Sequence, residues 1–140
     1  MGARFRDRRG FTLIELLIVI VIIGILAGIS VGQFSSVKED ALDASAKNDL
    51  RNMLTAQENY FTQAHAYADA TVAAGQRVDL NLDGTDDFSA GQGVSVQATA
   101  YTNGVQITAQ HGSSPSTWCV NSSQSNATGG VGVILRGTSC

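Results

Sequence analysis

Charged residues are scarce in this chain of 140 residues, and so are proline, histidine, cysteine and aromatic residues. Charged residues make up 15% of the sequence, against about 25% in an ordinary soluble domain. Low charge, a single proline and 15 glycines argue against disorder, coiled coil and collagen. Two histidines and two cysteines are too few for a zinc cluster, and a net charge of −3 does not indicate nucleic-acid binding. The length fits one domain.

The basic and apolar residues are concentrated at the N-terminus. Four arginines lie within residues 1–10, and an apolar run follows over residues 11–31. Only Thr12, Glu15 and Ser30 are polar in that run. A helix of about 20 apolar residues matches the ~30 Å hydrocarbon core of a bilayer. Because the positive charges precede the run, the positive-inside rule keeps the N-terminus in the cytoplasm and exports the rest of the chain.

Glu15 separates this run from an ordinary secretory signal peptide and from a plain membrane anchor. Both alternatives account for a basic start followed by an apolar stretch, and small residues at Ala27-Gly28 suit a signal-peptide cleavage site. Neither accounts for a carboxylate five residues into the run. A carboxylate at that depth is costly to insert, so it indicates a functional site.

The hexapeptide at residues 10–15, Gly-Phe-Thr-Leu-Ile-Glu, follows a short basic leader and precedes the aliphatic run. In this placement it resembles the type III signal of type IV prepilins and pseudopilins. The resemblance implies that a prepilin peptidase cleaves between Gly10 and Phe11, removes residues 1–10 and methylates the new amine of Phe11. It also implies that Glu15 serves assembly, because its carboxylate and the Phe11 amine of a neighbouring copy neutralise each other when buried together.

Three glycines spaced by four residues, Gly24, Gly28 and Gly32, lower the helix propensity of the apolar run. Two interpretations stay open. The glycines allow close helix packing of the small-xxx-small type, or they allow the helix to unwind when subunits pack into a filament, as in related pili. Most members of the family carry a proline where this chain has Gly32, and its only proline is Pro115. Without that proline the helix can also remain continuous.

The whole chain predicts an α+β fold in which a long N-terminal helix packs on a small antiparallel sheet of three or four strands. A membrane or filament-core segment at 11–33 continues into an amphipathic half at 34–66, where apolar residues recur every three or four positions and most of the charged residues between them face outward. Residues 67–140 form the exported head. Alternating apolar residues predict strands over 93–100, 104–110, 117–121 and 131–135, with a hairpin turn at Asn103-Gly104 and a loop over 64–74.

Cys119 and Cys140 both lie in the exported head, where disulfides form and persist. We expect them to be paired, in preference to acting as reactive or metal-binding thiols. The bond closes a C-terminal loop and contributes about 3 kcal/mol in the chain-entropy model. A C-terminal loop bounded by a disulfide is also a recurring feature of pilins.

An acidic segment in the head matches the first part of a calcium-binding loop. Oxygen-bearing side chains occupy positions 1, 3, 5 and 9 of the segment that begins at Asp79, with glycine at position 6. The candidate calcium ligands are Asp79, Asn81, Asp83, the Thr85 carbonyl and Asp87. Position 12 is Ala90, so the bidentate acid of an EF-hand is missing, and an acidic hairpin turn is the alternative. No other cofactor is expected.

These patterns predict a structural subunit and not an enzyme: a major type IV pilin that polymerises through its N-terminal helix into an extracellular filament. Its expected partners are copies of itself, the prepilin peptidase, the pilus assembly machinery of the inner membrane and, before assembly, the membrane. The monomer then lies in the inner membrane with its head outside the cytoplasm. The first alternative is a type II secretion pseudopilin or a minor pilin. The second is a membrane-anchored calcium-binding or adhesive module that does not polymerise.

Overall fold

The computed structural model of the chain describes residues 10–123 and 130–140, with the side chains of residues 31–33 left aside. The predicted leader at residues 1–9 lies outside the described residues. The chain divides into two compact units between Val37 and Lys38. Within the described residues, helix α1 (Leu13–Ala64) is followed by strands β1 (Ala70–Val72), β2 (Arg77–Val78), β3 (Phe88–Ser89), β4 (Val94–Tyr101), β5 (Gly104–His111), β6 (Thr117–Asn121) and β7 (Leu135–Arg136).

The first unit contains the N-terminal part of α1, and this part exposes its apolar side chains. Each isoleucine, leucine and valine from Leu13 to Ile29 is at least 50% exposed. By length and composition this part of the helix can cross a membrane. Because aliphatic surface of this extent is unfavourable in water, the unit favours apolar surroundings.

The second unit packs the C-terminal part of α1 against one face of a five-stranded sheet. Ala46, Leu50 and Met53 are fully buried on the helix. The side chains of the sheet that share this core are Val72, Val94, Val96, Ala98, Val105, Ile107, Ala109 and Val120. The amphipathic spacing therefore predicted the buried face of the helix correctly, and the α+β architecture is confirmed.

The large sheet has the strand order β1-β4-β5-β6-β7, and all neighbouring pairs are antiparallel. The β4–β5 hairpin pairs Tyr101 with Gly104, so the turn consists of Thr102 and Asn103 and lies one residue earlier than predicted. Strands β2 and β3 flank the acidic segment in the sequence and pair with each other in a separate two-stranded sheet.

Strands β4, β5 and β6 confirm three predicted strands, whereas the rest of the predicted sheet requires correction. The sheet has five strands instead of three or four, because the predicted loop at 64–74 contains β1, which pairs Ala70 with Ala98. The predicted strand at 131–135 is reduced to β7, which begins at Leu135. Gly132 adopts a positive φ of 72°, which is incompatible with an extended strand.

Three buried polar side chains attach α1 to the head. The Gln57 amide donates to the Ala68 carbonyl (2.8 Å) and accepts from the Ala68 N–H (3.0 Å). Asp49 accepts from a backbone N–H in the loop before β4, at Gly91 (2.7 Å). Asp43 accepts from the Ser114 hydroxyl (2.6 Å). Asp43 and Asp49 are therefore exceptions to the prediction that the charges of this helix face outward, because their loop partners satisfy them in the interior.

Asp43 is the centre of a polar cluster between α1 and β6. Burial alone raises the pKa of Asp43, but the hydrogen bond from Ser114, the polar groups of Trp118 and Ser116 and the charge of Lys47 together hold the pKa below its ordinary value. The Lys47 Nζ lies 3.6 Å from the centroid of the Trp118 ring, a cation–π contact that joins the same two elements.

This cluster predicts a pH-dependent stability of the second unit, residues 38–140, which is called the head from here on. A carboxyl group with a lowered folded pKa stabilises the protein above its unfolded pKa, and the stabilisation disappears as the pH falls through the folded pKa. We expect the free energy of unfolding of residues 38–140 to decrease from about pH 5 to about pH 3. The substitution Asp43→Asn should cost about 1–2 kcal/mol at neutral pH and reduce this slope.

Urea unfolding followed by fluorescence of Trp118, the only tryptophan, measures this dependence. The control is Asp40→Asn, which changes an exposed carboxylate on the same helix. An unchanged pH slope in Asp43→Asn would assign the acid sensitivity to other groups.

Candidate functional site

The predicted cleavage junction lies in non-helical chain immediately before α1. Gly10 and Phe11 are both exposed, and the Phe11 side chain is 87% exposed. A Cβ added to Gly10 would meet no atom within 4 Å, so the fold itself does not require glycine here. Both residues are accessible among the described residues, and a requirement for glycine would have to come from an enzyme that cuts this bond. Cleavage after Gly10 and methylation of Phe11 stay predictions.

Thr12 and Glu15 form a reciprocal cap at the start of α1. Glu15 Oε2 accepts hydrogen bonds from the Thr12 backbone N–H (2.8 Å) and from the Thr12 hydroxyl (2.9 Å). The Thr12 hydroxyl oxygen in turn accepts from the Glu15 backbone N–H (3.3 Å). This capping box satisfies donors that the first helical turn leaves unpaired. Thr12 was not singled out from the sequence, although Thr-x-x-Glu before an apolar run is the signature of this cap.

The capping box determines what the Glu15 carboxylate can do. Its hydrogen bonds and the helix N-terminus both favour a negative charge at this position, which lowers the cost of holding a carboxylate in a bilayer. Glu15 Oε1 accepts no hydrogen bond within the part of the chain that the structure describes. One oxygen therefore belongs to the helix cap, and the other can accept from an ammonium group on another molecule.

Helix α1 runs without interruption past the glycines of the apolar run. A Cβ added to Gly24 or Gly28 would meet no atom within 4 Å, so both positions leave room for a neighbouring helix. Gly32 also lies within the helix. The single chain is not unwound at these positions. Close packing and unwinding in a filament stay predictions.

The acidic segment forms a tight loop between β2 and β3, and its oxygens bond to the loop itself. Asp79 Oδ2 accepts from the Gly84 N–H (2.7 Å), and Asn81 Oδ1 accepts from the Asp83 N–H (3.1 Å). Asp83 Oδ1 accepts from both the hydroxyl and the backbone N–H of Thr85, and these bonds lower the pKa of Asp83. Gly84 has a φ of 91°, a conformation that glycine adopts without strain.

The remaining acids of this loop also have partners. Asp87 Oδ2 accepts from the Leu80 N–H (2.7 Å), and Asp86 pairs with Arg77 (3.1 Å). Asp79 Oδ1 is the one buried side-chain oxygen without a hydrogen-bond partner among the described residues. No group of three Asp, Glu, His or Cys side chains in residues 10–123 and 130–140 is arranged to hold a metal ion. The geometry is that of an acidic turn, and calcium binding stays a prediction.

The predicted disulfide joins Cys119 in β6 to Cys140. Both residues are buried, and their Cα atoms lie 6.1 Å apart. The Asn121 side-chain amide donates to the Cys140 carbonyl (3.1 Å), and the Gln106 amide donates to the Thr138 carbonyl (2.9 Å). The C-terminal residues are therefore held on the sheet by hydrogen bonds as well as by the covalent bond.

Comparison with known proteins finds matches to parts of the chain. The prokaryotic N-terminal methylation motif matches residues 5–31. A stretch of 68 residues, 48% of this chain, is 44% identical to the type IV major pilin protein PilA of Myxococcus xanthus and covers 31% of that protein. A stretch of 62 residues, 44% of this chain, is 40% identical to the type II secretion system core protein G of Pseudomonas aeruginosa and covers 44% of it. The chain thus matches less than half the length of either relative.

The calcium prediction is tested by thermal unfolding of residues 38–140 in calcium and in chelator. If the ligand set inferred from the sequence is correct, calcium raises the melting temperature of the wild-type head by several degrees and has no effect on Asp83→Ala. Asp40→Ala, outside the loop, should retain the full calcium effect. Identical melting temperatures of the wild-type head in calcium and in chelator would contradict calcium binding and leave the segment as an acidic turn.

Proposed function

We propose, from the premise that the chain belongs to the type IV pilin and pseudopilin family, that it is the major pilin of an extracellular filament. As a member of this family it is a structural subunit and not an enzyme. The observation that carries the proposal is the position of one carboxylate, Glu15. Glu15 follows the exposed junction at Gly10 and Phe11 by a few residues. It lies in the first turn of a helix whose N-terminal aliphatic side chains are exposed.

Maturation begins at the exposed junction before α1. A prepilin peptidase cleaves the bond between Gly10 and Phe11 and releases the basic leader. The new amine of Phe11 is then methylated, and it carries a positive charge at neutral pH. Cleavage therefore produces the cation that a neighbouring carboxylate requires.

Before assembly the bilayer holds the monomer through residues 11–33. The exposed aliphatic side chains of this segment contact lipid, and the capping box with Thr12 satisfies Glu15 within the single chain. The arginines precede the segment, so the head lies outside the cytoplasm.

In the filament the apolar helices of other copies replace the lipid. The Phe11 ammonium of an incoming copy donates to Glu15 Oε1 of a copy that is already assembled, and the two charges neutralise each other. Gly24 and Gly28 allow the helices to approach closely. Because the surface that donates differs from the surface that receives, the contact is heterologous and growth continues without closing.

A type II secretion pseudopilin is the second candidate, and a minor pilin is a variant of the first. The acidic loop at 79–87 and the similarity to a type II secretion core protein favour the pseudopilin. Deletion of the gene distinguishes the two: loss of sheared surface filaments built from this chain indicates the major pilin. Loss of protein secretion without loss of surface filaments indicates the pseudopilin.

The maturation step predicts that Gly10→Val leaves an uncut precursor in the membrane. The chain itself tolerates a side chain at Gly10, so the variant should fold and insert normally and fail only at the peptidase. Gly10→Ala is the control, because it adds the smallest side chain and should be cut. Mass spectrometry of the membrane fraction measures the mature N-terminus. A normal methylated Phe11 in Gly10→Val would contradict the assignment of the junction.

The assembly step predicts that Glu15→Ala and Glu15→Gln reduce filament yield by more than about tenfold, because the incoming Phe11 ammonium is buried without an anion. Synthesis, insertion and cleavage should be retained, since removing a charge makes insertion easier. The matched control is Ser30→Ala, which removes another polar group from the same apolar run. Filament yield is measured against processed monomer in the membrane. Wild-type yield from both Glu15 variants would exclude a role of Glu15 in assembly.

A further inference from the structure

The large sheet is built mainly from a segment without charged residues. Between Asp87 and Arg136 the sequence contains no aspartate, glutamate, lysine or arginine. Strand alternation sorts the side chains of this segment into two sets. The apolar set faces α1 and forms the core, and the set on the opposite face consists largely of amides and hydroxyls.

Six of these outward side chains form two rows across the strands, which we name the threonine–glutamine face. The first row is Thr71, Gln97 and Thr108, and the second is Ser95, Gln110 and Thr117. All six line one depression of about 280 Å³ on the side of the sheet away from the core. The face is therefore a continuous concave surface on four adjacent strands.

The polar groups of this face make few hydrogen bonds within the described residues. The side chains of Thr71, Gln97, Thr108 and Thr117 make no hydrogen bond within the described residues. The bonds from Ser95 and Gln110 to backbone carbonyls are long, at 3.5 and 3.3 Å. Each hydroxyl and each amide can donate and accept at the same time. The face thus offers paired donors and acceptors without any ionic group.

Two neighbouring residues mark the ends of this face. Tyr101 follows Gln97 and Thr99 in the outward register of β4, and its side chain is 42% exposed. Its ring supplies a flat apolar surface with a polar edge. Asp69 lies beside β1, two residues before Thr71 of the face. Its carboxylate already accepts a hydrogen bond from the Ala100 N–H (2.8 Å). Neither residue gives the centre of the face a charge.

We propose that the threonine–glutamine face binds an uncharged polysaccharide. A chain of hydroxyl groups matches a surface of hydroxyls and amides in hydrogen bonding and in charge, because neither partner carries ions that must be neutralised or desolvated. The face has no large apolar patch of the kind that forms the core of a protein–protein interface. A charged polymer finds no counter-charge on it. The proposed binding is independent of polymerisation, so it can be measured on the unassembled chain.

The test is co-sedimentation of the full chain, in a detergent without a sugar headgroup, with insoluble uncharged polysaccharides: cellulose, chitin and cross-linked dextran. Alginate beads and chitosan provide anionic and cationic comparisons. We expect binding to at least one uncharged polymer that is unchanged between about 50 mM and about 500 mM NaCl, since no ion pairs are involved.

The variant Gln97→Ala/Thr108→Ala removes an amide and a hydroxyl that lie opposite each other on β4 and β5 in the first row. It should weaken binding about tenfold or more. The matched control is Asn52→Ala/Ser89→Ala, which removes an exposed amide and an exposed hydroxyl elsewhere on the head and should bind as the wild type does. Thermal unfolding of both variants verifies that the head remains folded.

Four results would overturn the proposal. The first is the absence of binding to every uncharged polymer. The second is binding that the Gln97→Ala/Thr108→Ala variant retains. The third is binding that favours alginate or chitosan and falls with salt. The fourth is concentration-dependent self-association of the chain that the same variant abolishes, which would assign the face to a second copy.

Discussion

The aliphatic side chains described in residues 11–30 and 34–37 are exposed in the single chain, and both states in the proposed function follow from that constraint. In the proposed function a bilayer covers them before assembly, and the helices of other copies cover them in the filament. In either environment polar groups are few, so a single carboxylate without a hydrogen-bond or charge partner would be costly. The Oε2 atom of Glu15 accepts hydrogen bonds from Thr12 of its own helix, and its Oε1 atom can accept one from another molecule. The same residue can therefore serve both environments.

The head is stabilised in the opposite way, by a core that it fills itself. Leu50, Met53 and Ile107 are fully buried between the helix and the sheet. Asp43, Asp49 and Gln57 add polar contacts to loops, and these contacts help to position the helix on the sheet. One continuous helix thus belongs to a unit that requires apolar surroundings and to a unit with a core suited to water.

Periodicity and turn residues over short stretches predicted the helix, the β4–β5 hairpin and β6. The disulfide was predicted because both cysteines follow the apolar run, in the part expected to be exported. Strands β1, β2 and β3 were missed, since two or three residues show no period and their pairing depends on distant partners. Asp43 was assigned to the surface for the same reason, as Ser114 is far away in sequence. The acidic loop shows a further limit. Spacing alone does not tell whether an oxygen such as Asp83 Oδ1 faces a cation or a backbone N–H.

The charge-free sheet has a consequence for proteolysis. Trypsin cuts after lysine and arginine, and the chain has neither between Arg77 and Arg136. Even a fully unfolded head therefore gives trypsin no site within β4, β5 or β6. Enzymes of that specificity cannot degrade this part of the sheet by cutting within it. Peptide mapping of the head accordingly requires a protease that cuts at aromatic or aliphatic residues.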